Sequence, residues 1–306
     1  MIVSYLVSKL ALSDSKDFIS KNFLKLMIIN IILKVLPSTV LLIGLILYFS
    51  SMLGASEILL DTIYFFILSV FLVFGPIIYY IYEKSIVYFI ARKENDKYRT
   101  FLKWAILDMS IIKSIKSFIG YILIYIFYLI VRTVTIYVVS GLFGILLDSL
   151  FLPIVILIIL VLFVISIFLT IAFISFLSSY TYKSYFFARV SNPSNWSSLK
   201  MAFSSISGKV IKRILKLVLY TLITTIILII LLAILLLVIG FALLNVNSLD
   251  IITILSSTLS YTIIIIIGIY LITEWIAYNI ISDLYILDII KTNSQSEMGQ
   301  NAEQSK

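Results

Sequence analysis

Residues 217–245 read LVLYTLITTIILIILLAILLLVIGFALLN and contain no charged side chain. An apolar helix of about 20 residues crosses the roughly 30 Å hydrocarbon core of a bilayer. Among single segments only a helix fits there, because lipid offers the peptide groups no hydrogen-bond partner. This stretch therefore predicts a transmembrane helix, and it sets the scale for interpreting the rest of the chain.

Five further stretches match it in length and composition. The predicted spans are 27–50, 60–82, 117–140, 153–180, 217–245 and 251–273. The 306-residue chain is 62% hydrophobic and 12% charged, whereas a soluble domain is about half apolar and about a quarter charged. We predict an all-α, polytopic membrane helix bundle with six transmembrane helices in one domain, 1–291. The polar residues 292–306 predict a disordered cytoplasmic tail.

Basic residues are confined to one side of these spans. The segments 1–26, 83–116, 181–216 and 274–306 carry 21 of the 23 Lys and Arg residues. The turns at 51–59, 141–152 and 246–250 carry none. Since Lys and Arg accumulate in cytoplasmic loops, we predict a multi-pass protein of the cell membrane with both termini cytoplasmic. This topology also explains the net charge of +8, so no nucleic-acid partner is predicted.

An internal repeat covers the ends of two spans and the linkers that follow them. Residues 88–110 align without gaps with 185–207, at an offset of 97. The identical pairs are Tyr88/Tyr185, Phe89/Phe186, Ala91/Ala188, Arg92/Arg189, Asn95/Asn192, Leu102/Leu199, Lys103/Lys200, Ala105/Ala202 and Ser110/Ser207. Apolar residues recur in both linkers at three- and four-residue steps, which predicts two cytoplasmic amphipathic helices in the membrane interface. The alternative is that both are cytoplasmic extensions packed on the bundle.

The second linker carries a family resemblance. Its pattern is Phe186-Phe187-Ala188-Arg189, then Trp196, Leu199-Lys200, Ala202, Ser204-Ser205 and Gly208. This resembles the six-helix membrane domain found fused to some glycerophosphodiester phosphodiesterases, which also occurs as stand-alone membrane proteins. The resemblance implies a six-span plan with cytoplasmic termini over most of the chain. It implies no catalytic residue, because the phosphodiesterase domain has no counterpart here.

The residue inventory removes several kinds of chemistry. The chain has no Cys and no His, which excludes disulfides, thiolate nucleophiles, and haem or zinc sites built on imidazole. It has no Walker loop, dinucleotide fingerprint or nucleophile elbow. We therefore predict that the protein is not an enzyme and uses no cofactor or metal.

Arg132 lies in the third predicted span, about 12 Å of helix rise below the outer turn. A charge at that depth usually faces protein or water. One hypothesis is a gate or anion site neutralised by Asp148, Asp61 or Glu57. The alternative is an arginine whose long side chain reaches the outer headgroups.

Three further charges lie near the inner ends of predicted spans. Lys34 in the first span has a depth comparable to Glu83 and Glu274, at the ends of the second and sixth. A Lys34–Glu83 or Lys34–Glu274 pair would offset the cost of burying each charge. The alternative is that all three reach headgroup water.

Polar side chains also group within or beside the spans. Four hydroxyls on one face of the sixth span either line a polar cavity or let helices approach closely. They belong to Thr253, Ser256, Ser257 and Ser260. Tyrosines near the inner ends of the second and fourth spans predict an aromatic belt at the interface. They are Tyr79, Tyr80, Tyr82, Tyr88, Tyr180, Tyr182 and Tyr185.

Two functional hypotheses follow. The first is a transport- or passage-associated membrane component, with Arg132 and the hydroxyl face lining its path. The second is a structural, assembly or lipid-organising protein whose basic inner face binds anionic lipid headgroups or a membrane or cytoplasmic partner. The candidate headgroup-binding residues are Lys103, Lys200, Lys209, Lys212 and Arg213.

Overall fold

The computed structural model of the chain describes residues 2–31, 65, 69, 75, 77–88, 111–148, 153–191, 194–244 and 251–304. Within these ranges every regular element is helical, and the all-α prediction is confirmed. The elements are α1 Ile2–Ala11, a 3-10 turn Ser13–Ser15, α2 Lys16–Asn30, α3 at 77–88, α4 Ile111–Asp148, α5 Pro153–Ser191, α6 Asn195–Ser204, α7 Gly208–Leu244 and α8 Ile251–Gln304.

Three of these helices are long and apolar enough to cross a membrane. Their apolar sections are Ile115–Ile145 in α4, Ile159–Val190 in α5 and Gly208–Ile234 in α7. They coincide with the third, fourth and fifth predicted spans. The sixth predicted span is helical within α8, while most of the first and much of the second lie outside the described residues. The count of six spans therefore stays a prediction.

Helix α5 is the central element of the described part of the chain. It packs against α4, α6, α7 and α8. Helix α7 also contacts α1 and α8, and α2 contacts α8. The first two helices therefore pack along the last one, although they lie at opposite ends of the sequence.

The distribution of polarity is the reverse of that in a soluble domain. Glu83, Lys183 and Glu274 are buried, whereas Leu162 and Leu215 are among many large apolar side chains that are exposed. In water this arrangement would leave a large apolar surface unburied. Lipid chains are as apolar as these side chains, so the exposed surface of the three long helices suits a bilayer.

The tyrosines near the inner helix ends form a core, and the predicted aromatic belt is wrong for most of them. Tyr79 is exposed, but the other six predicted members are buried. Their rings pack together: the centroids of Tyr121 and Tyr182 are 4.8 Å apart, and those of Tyr80 and Phe186 are 5.6 Å apart. A tyrosine side chain has an apolar ring and a polar hydroxyl, so it can lie at a membrane interface or in a protein core.

Helix α6 corresponds to the second predicted amphipathic helix. It packs on α5 and α4 and buries Leu199 and Ala202, so that part of its apolar face belongs to the bundle. Trp196 points away and is 77% exposed. Helix α6 is thus packed on the bundle, as the second alternative states, and it also exposes a residue that suits the membrane interface, as the first states. Most of the first predicted amphipathic helix lies outside the described residues.

Helix ends differ in part from what residue preferences indicate. Pro153 is the first residue of α5. An N–H at this position would have no acceptor within the helix, so the missing N–H of proline costs no hydrogen bond. Ser194 occupies the N-cap position of α6, but its side chain makes no capping hydrogen bond. Helix α8 continues to Gln304, whereas the polar composition from 292 onward predicts disorder. The division of the chain at 291 stays a prediction.

Close packing at Gly120 gives a test of the α4–α5 contact. A Cβ atom at this position would lie 2.6 Å from Cζ of the buried Tyr185. We expect Gly120→Ala to lower the free energy of unfolding by about 1–3 kcal/mol, the usual cost of overpacking a core. Thermal unfolding in detergent micelles, followed by circular dichroism, measures the change.

The matched control is Gly141→Ala in the same helix. A Cβ atom there has no neighbour within 4 Å. Because alanine favours helix by up to about 1 kcal/mol over glycine, this variant should be as stable as the original or slightly more stable. Equal stability of the two variants would contradict the described packing.

Candidate functional site: a buried ion cluster

Three charged side chains meet between α3, α5 and α8. Lys183 Nζ lies 2.6 Å from Glu83 Oε2 and 3.0 Å from Asp283 Oδ1. The ammonium also donates a 2.6 Å hydrogen bond to Ser179 Oγ, one turn earlier in α5. The side chains of the three charged residues are at most 8% exposed. We call Glu83, Lys183 and Asp283 the ion cluster.

Hydrogen bonds extend the ion cluster to α2. The Tyr82 hydroxyl donates to Asp283 Oδ2, whereas Lys183 contacts the other carboxylate oxygen, Oδ1. Asn30 Nδ2 in turn donates to the Tyr82 hydroxyl at 2.8 Å. The cluster and its hydrogen-bond partners therefore tie together four helices, α2, α3, α5 and α8.

A second buried ammonium lies beside the ion cluster. Lys84 follows Glu83 in α3 and is fully buried. Its Nζ lies 5.4 Å from the ring centroid of Tyr80 and 5.7 Å from that of Tyr88, distances at which a cation is attracted by an aromatic face. Lys84 thus adds a second buried ammonium next to Glu83 in the described part of α3.

The ion cluster stabilises the fold only when all three of its charged side chains are present. Removing a charged group from water costs several kcal/mol, and a partner's charge repays this only when geometry and hydrogen bonding are good. Here one ammonium bridges two carboxylates at hydrogen-bonding distance. Loss of the shared lysine would remove this charged partner from both acids at once, so Lys183 is the member that links the other two.

A second polar network joins the turn after α1 to α7 and α8. Arg213 Nη2 lies 2.8 Å from Asp288 Oδ2, and its Nε lies 3.4 Å from Asp14 Oδ2. Ser15 Oγ donates to Asp288 at 2.6 Å, and Lys216 Nζ lies 3.3 Å from Asp14. Arg213, which the sequence places among the headgroup-binding candidates, is thus engaged within the protein.

Tyr285 completes this second network. Burial raises the pKa of its hydroxyl, a hydrogen bond with Arg213 opposes the rise, and the resulting pKa is about 12. The hydroxyl is therefore protonated at neutral pH and donates to Asp14 Oδ2 over 3.4 Å. The ring also faces the guanidinium carbon of Arg213 at 5.2 Å from its centroid.

Glu274 contacts the beginning of α1. Its two carboxylate oxygens accept hydrogen bonds from the backbone N–H groups of Val3, at 3.0 Å, and Ser4, at 2.9 Å. The residue is fully buried, so the proposal that it reaches headgroup water is wrong. Glu83 is buried as well, in the ion cluster. Lys34, for which a pair with one of these acids was one of two interpretations, lies outside the described residues.

The structure separates the other candidate residues. Arg132 is exposed on α4, away from the interior position that a gate needs, and a side chain directed to the surroundings fits the alternative interpretation better. Lys200, Lys209 and Lys212 are exposed. Lys103 lies outside the described residues. Thr253, Ser256, Ser257 and Ser260 are helical residues of α8, in a part whose side chains are not described.

Sequence reasoning missed Lys183 and Asp283. Both were counted as cytoplasmic charges because they follow predicted span ends. The sequence did contain one signal of this pairing. Acidic residues follow the second and sixth predicted spans, a lysine follows the fourth, and each lies among tyrosines or long apolar residues. Such charges are expected to pair when helices continue past the membrane as one bundle.

Within the described residues, no group of three or more Asp and Glu side chains is placed to hold a metal ion. No protein-family model, curated protein or solved structure is significantly similar to the chain. The resemblance to the six-helix domain fused to glycerophosphodiester phosphodiesterases therefore stays a prediction.

Substitution of the shared lysine tests the ion cluster. We expect Lys183→Met to lower the free energy of unfolding by about 3–5 kcal/mol, the usual cost of leaving buried charges unpaired. Thermal or denaturant unfolding of the purified protein in detergent measures the loss. The triple variant Glu83→Gln/Lys183→Met/Asp283→Asn removes every charge of the cluster and should recover much of the stability.

Lys200→Met is the matched control, because Lys200 is exposed in the neighbouring helix α6. Its stability should change by no more than about 0.5 kcal/mol. If Lys183→Met proves as mild as this control, the ammonium does not hold the three helices together.

Proposed function

We propose that this chain is a six-span protein of the cell membrane with both termini cytoplasmic, and that its basic inner face binds anionic lipid headgroups. The sidedness of Lys and Arg in the sequence supports the orientation. Three long apolar helices and an outward-facing apolar surface support the membrane location. The resemblance to a six-helix membrane domain is in keeping with this plan.

The exposed surface of α6 and the first turn of α7 carries the proposal. Trp196 and Lys200 are one helical turn apart and both exposed, so they share a face of α6. Lys209 and Lys212 are exposed three residues apart in α7. Tryptophan and lysine together are typical of the headgroup region, where an indole lies among glycerol groups and an ammonium meets phosphate.

The inner face of α6 fixes this surface to the bundle. Leu199 and Ala202 are buried against the protein. Asn195 Nδ2 donates to the carbonyl oxygen of Lys116, which joins α6 to α4. Lys200 is thus presented by a helix with a fixed position, and Lys209 and Lys212 by the beginning of α7, so lipid binding would not have to order a disordered segment.

Removing the three exposed lysines tests the proposal. Each basic residue near an anionic membrane surface contributes about 1 kcal/mol. We expect Lys200→Gln/Lys209→Gln/Lys212→Gln to weaken binding of short-chain phosphatidylglycerol by about a hundredfold. The titration is followed through Trp196 fluorescence in detergent, with Trp196→Phe identifying the signal of that indole.

The control Lys16→Gln/Lys21→Gln/Lys291→Gln removes the same charge from exposed positions on α2 and α8. It should bind phosphatidylglycerol nearly as well as the unaltered protein, and phosphatidylcholine should bind weakly to all three proteins. Equal affinity for the two lipids, or equal losses in the two triple variants, would refute a headgroup-binding surface at α6 and α7.

The ion cluster favours a second candidate function, the passage of a proton or small cation. Ionisable side chains in a membrane bundle often mark ion paths, and the ion cluster, which follows the inner ends of the second, fourth and sixth predicted spans, would form the cytoplasmic end of such a path. Glu83 and Asp283 supply two carboxylates in the protein interior, and both contact one ammonium. In this proposal the ion cluster, and not the exposed Arg132, meets the ion.

Flux through reconstituted protein distinguishes the second candidate. Proteoliposomes containing a pH-sensitive dye should dissipate an imposed proton or potassium gradient faster than protein-free vesicles. The uncharged triple variant of the cluster should abolish the difference, while Arg132→Gln should retain it. Gradients that decay at the protein-free rate in the presence of the unaltered protein would exclude this candidate and leave headgroup binding unaffected.

A further inference from the structure

Helix α1 exposes a row of large apolar side chains. Its protein-facing side is mixed and buries Ser4, Val7 and Ser8, whereas Ile2, Leu6 and Leu10 are 66%, 52% and 84% exposed. These three residues recur every four positions and so form one edge of the helix. An amphipathic helix on a water-soluble protein turns its apolar edge inward. The exposed apolar edge of α1 therefore indicates apolar surroundings outside.

The contacts of α1 place it beside the long apolar helices. Ser4 lies at the level of Tyr220 in α7, whose hydroxyl donates to the Ser4 carbonyl oxygen at 3.3 Å. Further along the chain Asp14 meets Lys216, so the first helix runs antiparallel to α7. Both contacts lie within Gly208–Ile234, the section of α7 that is long and apolar enough to cross a membrane.

The beginning of α1 is prepared for a site without water. The first N–H groups of any helix lack partners within it, and in hydrocarbon each unsatisfied group costs several kcal/mol. Glu274 accepts the N–H groups of both Val3 and Ser4. The Ser4 hydroxyl donates to the backbone carbonyl oxygen of Glu274 at 3.2 Å. With this acceptor in place, the beginning of α1 can lie in surroundings that offer no water.

Helix α7 also exposes large apolar residues in the section that α1 follows. Leu215 and Leu219 are one turn apart on α7 and about half exposed. They lie in the section of α7 that α1 follows, between the contacts made by Arg213 and Tyr220. Since this section begins an apolar helix long enough to cross a membrane, the same surroundings cover both helices.

We propose that α1 is embedded in the bilayer, with its Ile2–Leu6–Leu10 edge in contact with the acyl chains of the leaflet nearest Arg213. At the edge of this surface the Lys9 ammonium lies 4.4 Å from the ring centroid of Tyr5, an arrangement that lets the charge extend toward headgroups. The inference rests on the membrane location in the proposed function, but not on recognition of anionic headgroups.

Site-directed labelling tests the inference, and it is straightforward because the chain has no Cys. The full-length variants Leu6→Cys and Leu10→Cys are each labelled with an environment-sensitive fluorophore and reconstituted into phosphatidylcholine nanodiscs, one chain per disc. The label should emit at shorter wavelength than in water, and lipids carrying a nitroxide on the acyl chain should quench it. Asp17→Cys, exposed at the start of α2, should show neither effect.

Water-like emission without quenching at positions 6 and 10 would overturn the inference. So would shielding that requires a second copy, seen as a blue shift in detergent dimers that is lost in discs holding one chain. Neutral phosphatidylcholine separates the two proposals. Failure of headgroup binding by Lys200, Lys209 and Lys212 would leave this result unchanged, and failure of α1 labelling would leave headgroup binding untouched.

Discussion

The bridge from Lys183 to Glu83 and Asp283 is the interaction on which the described fold depends. Helices in lipid gain little from burying apolar surface against each other, because lipid chains are equally apolar. A buried ammonium, by contrast, has no satisfactory alternative to its two carboxylates. The ion cluster therefore specifies which helices are neighbours, and the ring contacts of Tyr80, Tyr121 and their neighbours fill the space around it.

The two polar networks have different tasks. The ion cluster joins α2, α3, α5 and α8 in the interior, where water is excluded. The network around Arg213 lies at a partly exposed corner and fixes the turn between α1 and α2. Earlier along α8 than either network, Glu274 holds the beginning of α1. The amino-terminal helices are thus attached to α8 at three levels, and each attachment uses a side chain of α8.

The sequence was sufficient to predict the apolar helices, but not to predict which helices pack against each other. Run length and composition located the sections later seen in α4, α5 and α7. They also drew attention to Glu83 and Glu274. They did not identify partners, since depth along a helix says nothing about which helix lies opposite. The tyrosines were placed at the interface because an amphipathic ring suits a membrane surface as well as a core. Helix α1 was missed because it is too short to span.

The hydrogen bonds from Ser4 to Glu274 have a consequence for biosynthesis. Donor and acceptor are 270 residues apart, so the ribosome completes the first helix long before its partner exists. Contacts of such long sequence separation form late and slowly. Until then the helix end needs water, an insertase or a chaperone to satisfy its amides. The beginning of α1 therefore reaches its native partner only after Glu274 has been synthesised.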